Sequence, residues 1–305
     1  MAVVSSDYLA GLLTNFRLIF ERDFKAALAV ENWADVALRV PSDTDTESYN
    51  WFGTVPKMAE GQVKLGGLEK YNFSIRNKTY KAGLEVKRET IEDDKIGMLA
   101  PRLAQLGPEA ARHPGELIFN LFESNPLAYD GKALFANDHV IGASGTIDNL
   151  QGGTGITVAQ VQADLAANRG IMVKWKDDQG RVAGNRANAI VSPPELMGVF
   201  WSALNGNLGG TTPATMPAGT GKFQAAGYTV IENPFLTDAN DWYLLALSPA
   251  GRPFVFQDRL PPALEGITTP NTESGVLLDR FIYTVRARYN VGIGDFMTAL
   301  KVVNS

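Results

Sequence analysis

Two histidines, His113 and His139, are the only imidazoles in the 305 residues, so general-base and imidazole-ligand chemistry has few places to sit. Asp138 directly precedes His139, a pairing that could orient a base or share a metal, although a loop histidine beside an aspartate commonly serves structure alone. His113 stands next to Pro114 and reads as a helix-end residue, where a cation suits the helix dipole. With zero cysteines there is no thiolate nucleophile, no disulfide framework and no thiolate zinc site. Gly219-Thr220-Gly221-Lys222 approximates a phosphate loop, but Phe223 replaces the required Ser or Thr and Met216 replaces the first glycine. Gly292-Ile293-Gly294 lacks the third glycine of a dinucleotide fingerprint. Nucleophile-elbow, zinc-hydrolase and calcium-loop patterns are missing, so the residues predict no enzyme, with no catalytic, cofactor-binding or metal-binding residue assigned. Asn72-Phe73-Ser74 and Asn77-Lys78-Thr79 match glycosylation acceptors but read as coincidental, because no signal peptide is expected.

The composition is that of a globular chain, 45% hydrophobic and 20% charged with 30 Gly and 16 Pro, which excludes disorder over most of the length. No run approaches the ~18 apolar residues of a membrane span, and the start, MAVVSSDYLAGLL, has no basic lead, so neither a membrane protein nor a signal-bearing secreted one is expected. A net charge of -5 argues against a dedicated nucleic-acid binder.

The elements that must position any functional residue follow from periodicity. From Tyr8 to Leu28 the apolar residues Leu9, Leu12, Leu13, Phe16, Ile19, Phe20, Phe24, Ala27 and Leu28 recur at three and four, predicting an amphipathic helix capped by Ser6 or Asp7. It packs either on its own domain or, as an arm, on a neighbour. The polar, acidic stretch from Pro41 to Ser48 reads as a linker. Alternation on both sides of Arg76-Asn77-Lys78-Thr79 predicts paired antiparallel strands from Tyr71 to Val86. Lys57 to Arg88 holds eight basic and three acidic residues, a local net charge of +5 in a chain of net charge -5. A lone two-stranded ribbon is marginal in water, so this basic hairpin should lie on something, and the acidic remainder of another copy is the natural partner. After Glu89, Glu92, Asp93 and Asp94, one long helix bent by Pro101, Pro108 and Pro114 is expected, with Leu103, Leu106, Ala110, Leu117 and Leu121 in phase. A flexible loop at Gly142–Gly155, a helix capped by Thr157, a turn at Asp177–Gly180, a buried strand at Ala189–Val191 and a helix from Pro193 to about Leu204 come next. Asn205 to Lys222 reads as a long loop. Strands at Tyr228–Ile231, Trp242–Leu247, Phe254–Phe256 and from Phe281 through Ala287 complete an α+β chain.

Several segments together resemble the phage Mu-like major head subunit family of gpT type, whose members resemble the Hong Kong 97-type capsid fold. They are Tyr49-Asn50-Trp51-Phe52-Gly53, Ile75-Arg76-Asn77-Lys78, Glu85-Val86-Lys87-Arg88, Ile91-Glu92-Asp93-Asp94 and Ala111-Arg112-His113-Pro114-Gly115-Glu116-Leu117. Further along come Tyr129-Asp130-Gly131-Lys132, Phe135-Ala136-Asn137-Asp138-His139, Asp177-Asp178-Gln179-Gly180, Val191-Ser192-Pro193-Pro194-Glu195-Leu196, Pro253-Phe254-Val255-Phe256-Gln257 and Ala287-Arg288-Tyr289-Asn290. Their order spans nearly the whole chain. The sequence departs at Ala59-Glu60-Gly61-Gln62, where the family tends to have another tryptophan, and at the extra proline of Gly107-Pro108.

The resemblance implies an α+β fold with an N-terminal arm at 1–47, an extended β-hairpin loop at 48–90, a peripheral domain with a long spine helix at 91–150 and 251–305, and an axial domain at 151–250. It implies a major capsid protein of a tailed phage or prophage, self-assembling through pentamers and hexamers into an icosahedral shell around double-stranded DNA that is held without sequence-specific binding. Intersubunit contact is then expected of Phe16, Phe20, Trp51, Phe52, Lys64, Lys70, Arg76, Lys78 and Lys81. Candidate partners are scaffold, protease, portal and decoration proteins; no cofactor and no membrane is implied, and the place is the virion after assembly in the host cytoplasm. The alternatives are a nanocompartment shell of the same fold around a cargo enzyme, and an enzyme using the Asp138-His139 loop.

Overall fold

The computed structural model describes residues 5–52, 70–93, 97, 99–205, 221–249, 251–272, 276 and 278–304. In chain order the elements are α1 (Ser6–Leu28), α2 (Trp33–Val36), β1 (Ala37–Pro41), β2 (Thr46–Phe52), β3 (Lys70–Arg76), β4 (Lys78–Lys87), α3 (Arg88–Glu92) and α4 (Ala100–Ser124). Three short strands follow, β5 (His139–Val140), β6 (Thr146–Ile147) and β7 (Leu150–Gly152), then α5 (Val158–Lys174), β8 (Ala189–Ser192) and α6 (Met197–Asn205). The chain closes with β9 (Lys222–Ala225), β10 (Tyr228–Glu232), β11 (Trp242–Leu245), β12 (Phe254–Gly266), β13 (Arg280–Ile293) and β14 (Ala299–Val303).

Helix α1 forms where its period predicts, but Ser5 rather than Ser6 or Asp7 caps it, the hydroxyl accepting from the Tyr8 N–H at 3.2 Å. Its apolar stripe packs on α4. At the crossing Gly107 lets the two helices approach closely: a Cβ there would stand 2.7 Å from the Phe24 backbone nitrogen. Helix α4 is a single helix with Pro101 in its first turn and Pro108 and Pro114 inside. Each interior proline costs about 3 kcal/mol in lost hydrogen bonding and crowding, and burial of Leu103, Ala111, Ile118, Phe119 and Phe122 along one stripe offsets it. His113 therefore lies mid-helix, not at a helix end. Thr157 and Gln160 form the capping box of α5.

Two sheets organise the rest. The first has the order β1-β12-β13-β4, parallel between β1 and β12 and antiparallel elsewhere, with α1 and α4 on one face. Phe281, Tyr283 and Val285 of β13 meet Leu13, Phe16 and Phe20 of α1 in that interface. The second has the order β7-β14-β11-β8-β10-β9, covered by α5 and α6. Phe122 of α4 joins them, its ring centroid 4.7 Å from both Phe254 of the first sheet and Tyr243 of the second.

Several further expectations change. Strands β3 and β4 do not pair with each other: β3 pairs with β2, from Thr46↔Arg76 to Phe52↔Lys70, and β4 pairs with β13, from Lys87↔Arg280 to Lys78↔Tyr289. A single residue, Asn77, separates them, one fewer than a tight hairpin needs, and alternation alone does not name a strand's partner. The ribbon thus runs from Thr46 to Arg76, and β4 belongs to the four-stranded sheet instead of a loop at 48–90. Residues 1–47 do not stand apart as an arm either, since α1 and β1 build the first layer, while β14 leaves the C-terminal block to join the six-stranded sheet. The glycine-rich segment after Gly142 is not loop throughout, because β6 and β7 lie in it. The loop expected at Asn205–Lys222 falls mostly outside the described residues.

Candidate intersubunit surface

The β2–β3 ribbon stands on the first sheet through a built base. Tyr49 Oη donates to Gln257 Oε1 at 2.9 Å, and Gln257, fully buried, donates to the Ile75 carbonyl at 3.3 Å. Burial pushes the Tyr49 hydroxyl up to about 12. Ile75 and Phe73 lie so close to Gly292 of β13 that a Cβ there would come within 2.6 Å of Ile75 Cδ1. Asn77, buried at the strand exchange, donates to Ser42 Oγ and the Thr44 carbonyl, both at 2.8 Å, and its N–H reaches the Asp45 carbonyl. Hydrogen bonds from Thr44 and Ser42 hold the Glu47 carboxyl below its ordinary value. Asp45 accepts from Arg76 Nε of the ribbon at 3.2 Å and from Arg288 Nη2 of β13 at 3.0 Å. These contacts fix where the ribbon leaves the sheet.

The expected contact residues separate into groups. Phe16 and Phe20 are 2% exposed inside the chain's own core, Phe16 edge-on to Tyr283 and Phe20 stacked on Phe24, so they offer no surface to a neighbour. That corrects the arm reading: an apolar stripe shows that a helix is covered, not by which chain. Lys64 and the side chains of Trp51, Phe52 and Lys70 lie outside the described residues, although β2 and β3 carry the last three. Arg76 is exposed at the ribbon base. Lys78 and Lys81 are exposed on β4, hence on the sheet and not on the ribbon.

The residues with catalytic potential are engaged as follows. His139 is fully buried, with Nδ1 2.6 Å from Asp130 Oδ2, Nε2 3.3 Å from the Leu134 carbonyl, and its ring stacked on Phe296 at 4.0 Å. Its partner is Asp130, which the sequence did not single out; the adjacent Asp138 instead pairs with Lys132. His113 Nδ1 lies 2.7 Å from Tyr289 Oη, and burial lowers its pKa. Asp295 of the β13–β14 connection, held by the Met297 N–H at 2.9 Å and Tyr129 Oη at 3.4 Å, is pushed up to about 6 by burial. An open cleft of about 580 Å³ beside β9 and β10 has Lys222 Nζ on Asp35 Oδ2 at 2.6 Å and no histidine in its lining. Among the described residues no group of three or more His, Asp or Glu is placed to hold a metal, and no helix is long and apolar enough to cross a membrane.

Comparison with known proteins gives a consistent result. The profile of the family described as Mu-like prophage major head subunit gpT matches residues 9–161 and 219–304. The Mu-like prophage FluMu major head subunit of Haemophilus influenzae is 26% identical over 308 aligned residues, covering 99% of this chain and 75% of that protein. The major capsid protein of Escherichia phage Mu is 31% identical over 145 residues, 46% of each chain. Among solved structures, the procapsid of bacteriophage JBD30 superposes with a TM-score of 0.55 at 24% identity, over 95% of this chain and 74% of that one.

Proposed function

We propose an assembly role with a plain premise: the chain belongs to the Mu-like prophage major head subunit gpT family. It is a phage major head protein with the α+β, Hong Kong 97-type capsid fold, a structural component of the virion. The further reading is that copies associate as pentamers and hexamers into a closed icosahedral shell around double-stranded DNA, assembled in the host cytoplasm. In that reading the ribbon is the extended loop, the first sheet with α1 and α4 the peripheral domain, and the second sheet with α5 and α6 the axial domain. Scaffold, protease, portal and decoration proteins are the partners to seek.

The observation that carries the reading is the ribbon's built base. A two-stranded ribbon contributes little to its own stability, yet Tyr49, Ile75, Asn77 and the buried Gln257 aim it from the sheet. Such an arrangement suits reaching a neighbour; residues 57–70 hold three Lys and two Glu, so charge adds only a small attraction to the acidic remainder of that copy. Many weak copies of one heterologous contact then close a shell by symmetry and multivalency.

The test replaces residues 53–69 with a short glycine-serine turn and follows the chain by sedimentation and electron microscopy. The expected result is a folded chain, with native circular dichroism, that forms no shells. Uniform hollow particles from the shortened chain would refute the ribbon's role.

A further inference from the structure

Helix α4 lacks two steps of its hydrogen-bond ladder just where it carries its histidine. Pro108 and Pro114 have no N–H to give the carbonyls of Ala104 and Ala110, so contacts with the sheet must hold the stretch between them. His113 makes those contacts. Its Nδ1 lies 2.7 Å from Tyr289 Oη on β13, its ring centroid is 4.5 Å from that of Tyr80 on β4, and the two tyrosines stack at 4.9 Å. Beside the half-buried imidazole is a cavity of about 210 Å³, bounded also by Ala110, Pro262 and Val285, which gives the ring and its turn of helix room to shift. Burial pushes both tyrosine hydroxyls up, so Tyr80 and Tyr289 keep their protons in neutral and mildly acidic solution. A neutral ring accepts the Tyr289 proton at Nδ1. A protonated ring carries hydrogens on both nitrogens, can accept nothing, and brings a charge into a place short of water.

We propose that His113 is a proton-sensitive latch, which holds the Pro108–Pro114 stretch of α4 on the first sheet while neutral and lets that stretch lift when the ring is protonated. The charged groups around it set the direction. Glu109 and Glu116 of α4 favour the charged ring, but burial outweighs them and holds the imidazole below its ordinary value. From β4 comes Lys81, a like charge at the same cavity; from β12 comes Asp258, held in an ion pair by Arg39 of β1. Glu31, ahead of α2, stands at Gly115 and is balanced by Arg112, and Asp23 on the α1 side is paired with Arg22. The attached form is therefore favoured while pH stays above the ordinary imidazole value of 6.5, and loses ground as pH falls below it. The latch works within one chain and does not rest on the shell reading.

The experiment uses the full native chain. Its two imidazoles, labelled with nitrogen-15, are titrated by nuclear magnetic resonance, and His113→Gln assigns the two signals. Amide hydrogen exchange of α4 and α5 is followed alongside, corrected for the intrinsic effect of pH. The His113 midpoint should fall below the ordinary 6.5. Between about pH 7.5 and about pH 5, protection of residues around Ala110 should drop at least about threefold relative to α5 in the native chain. In His113→Gln, which has nothing to titrate there, that ratio should stay constant. Tyr289→Phe removes the hydroxyl that favours the neutral ring, so it should move the His113 midpoint upward, and it serves if His113→Gln folds poorly. A native midpoint at or above 6.5 overturns the proposal. So does an α4 protection that follows α5 across the pH range, and so does the same selective drop in a folded His113→Gln.

Discussion

Asp295 shows how much one buried group can shape the pH response of this chain. Its pKa is raised to about 6 by burial, so the folded state holds the proton more tightly than the unfolded chain. The favourable contribution is complete below the ordinary carboxyl pKa, near 4, and is lost as pH rises through about 6. A shift of that size corresponds to a few kcal/mol, about 3. Asp295→Asn, which keeps an acceptor for the Met297 N–H, should therefore gain stability relative to the native chain as pH rises from about 3.5 to about 7 in urea titrations. An identical native-to-variant difference at both pH values would remove Asp295 as the source. The neighbouring His139 marks the limit of reading residues from sequence. Adjacency pointed to Asp138, but the contact is made by Asp130, nine positions away, because the turn at Gly131 and the Leu127↔Ala133 bridge fold that segment back on itself. No spacing rule encodes such a pair.

At the level of elements, what one strand or helix does alone was legible, and what it pairs with was not. The heptad-like stripe of α1, the prolines tolerated inside α4 and the Thr157 cap of α5 all follow from local chemistry. Strands β3 and β4 were also recognisable, yet their partners lie far away in the chain: β4 faces β13, some two hundred residues on. The α1–α4 crossing is just as non-local. Gly107 admits the Phe24 backbone, and Gly107→Ala should cost about 1–3 kcal/mol by forcing the helices apart. The measurement is the urea midpoint of the variant, and a midpoint equal to the native one would show that the crossing relaxes freely. Phe16 and Phe20 lie in the same contact, so loss of α1 should abolish cooperative folding, as proteolysis of a chain starting at residue 30 would reveal.

For the whole molecule, the two sheets unfold as one unit if Phe122 couples them, touching Phe254 and Tyr243 at equal centroid distances. Phe122→Ala should cost about 3–5 kcal/mol and, by loosening the shared core, separate one transition into two when far-ultraviolet dichroism and tryptophan fluorescence are compared. Coincident curves in the variant would show that other core contacts suffice. The ribbon's footing has a mechanical meaning as well. One of its strands continues from β1 and the other runs into β4, and those two strands are opposite edges of the same sheet. A pull on the ribbon is accordingly shared between both flanks, each loaded along its hydrogen-bonded ladder. The leg on β1 rests on five paired residues and the leg on β4 on ten, so β1 is where such a strap would first give way.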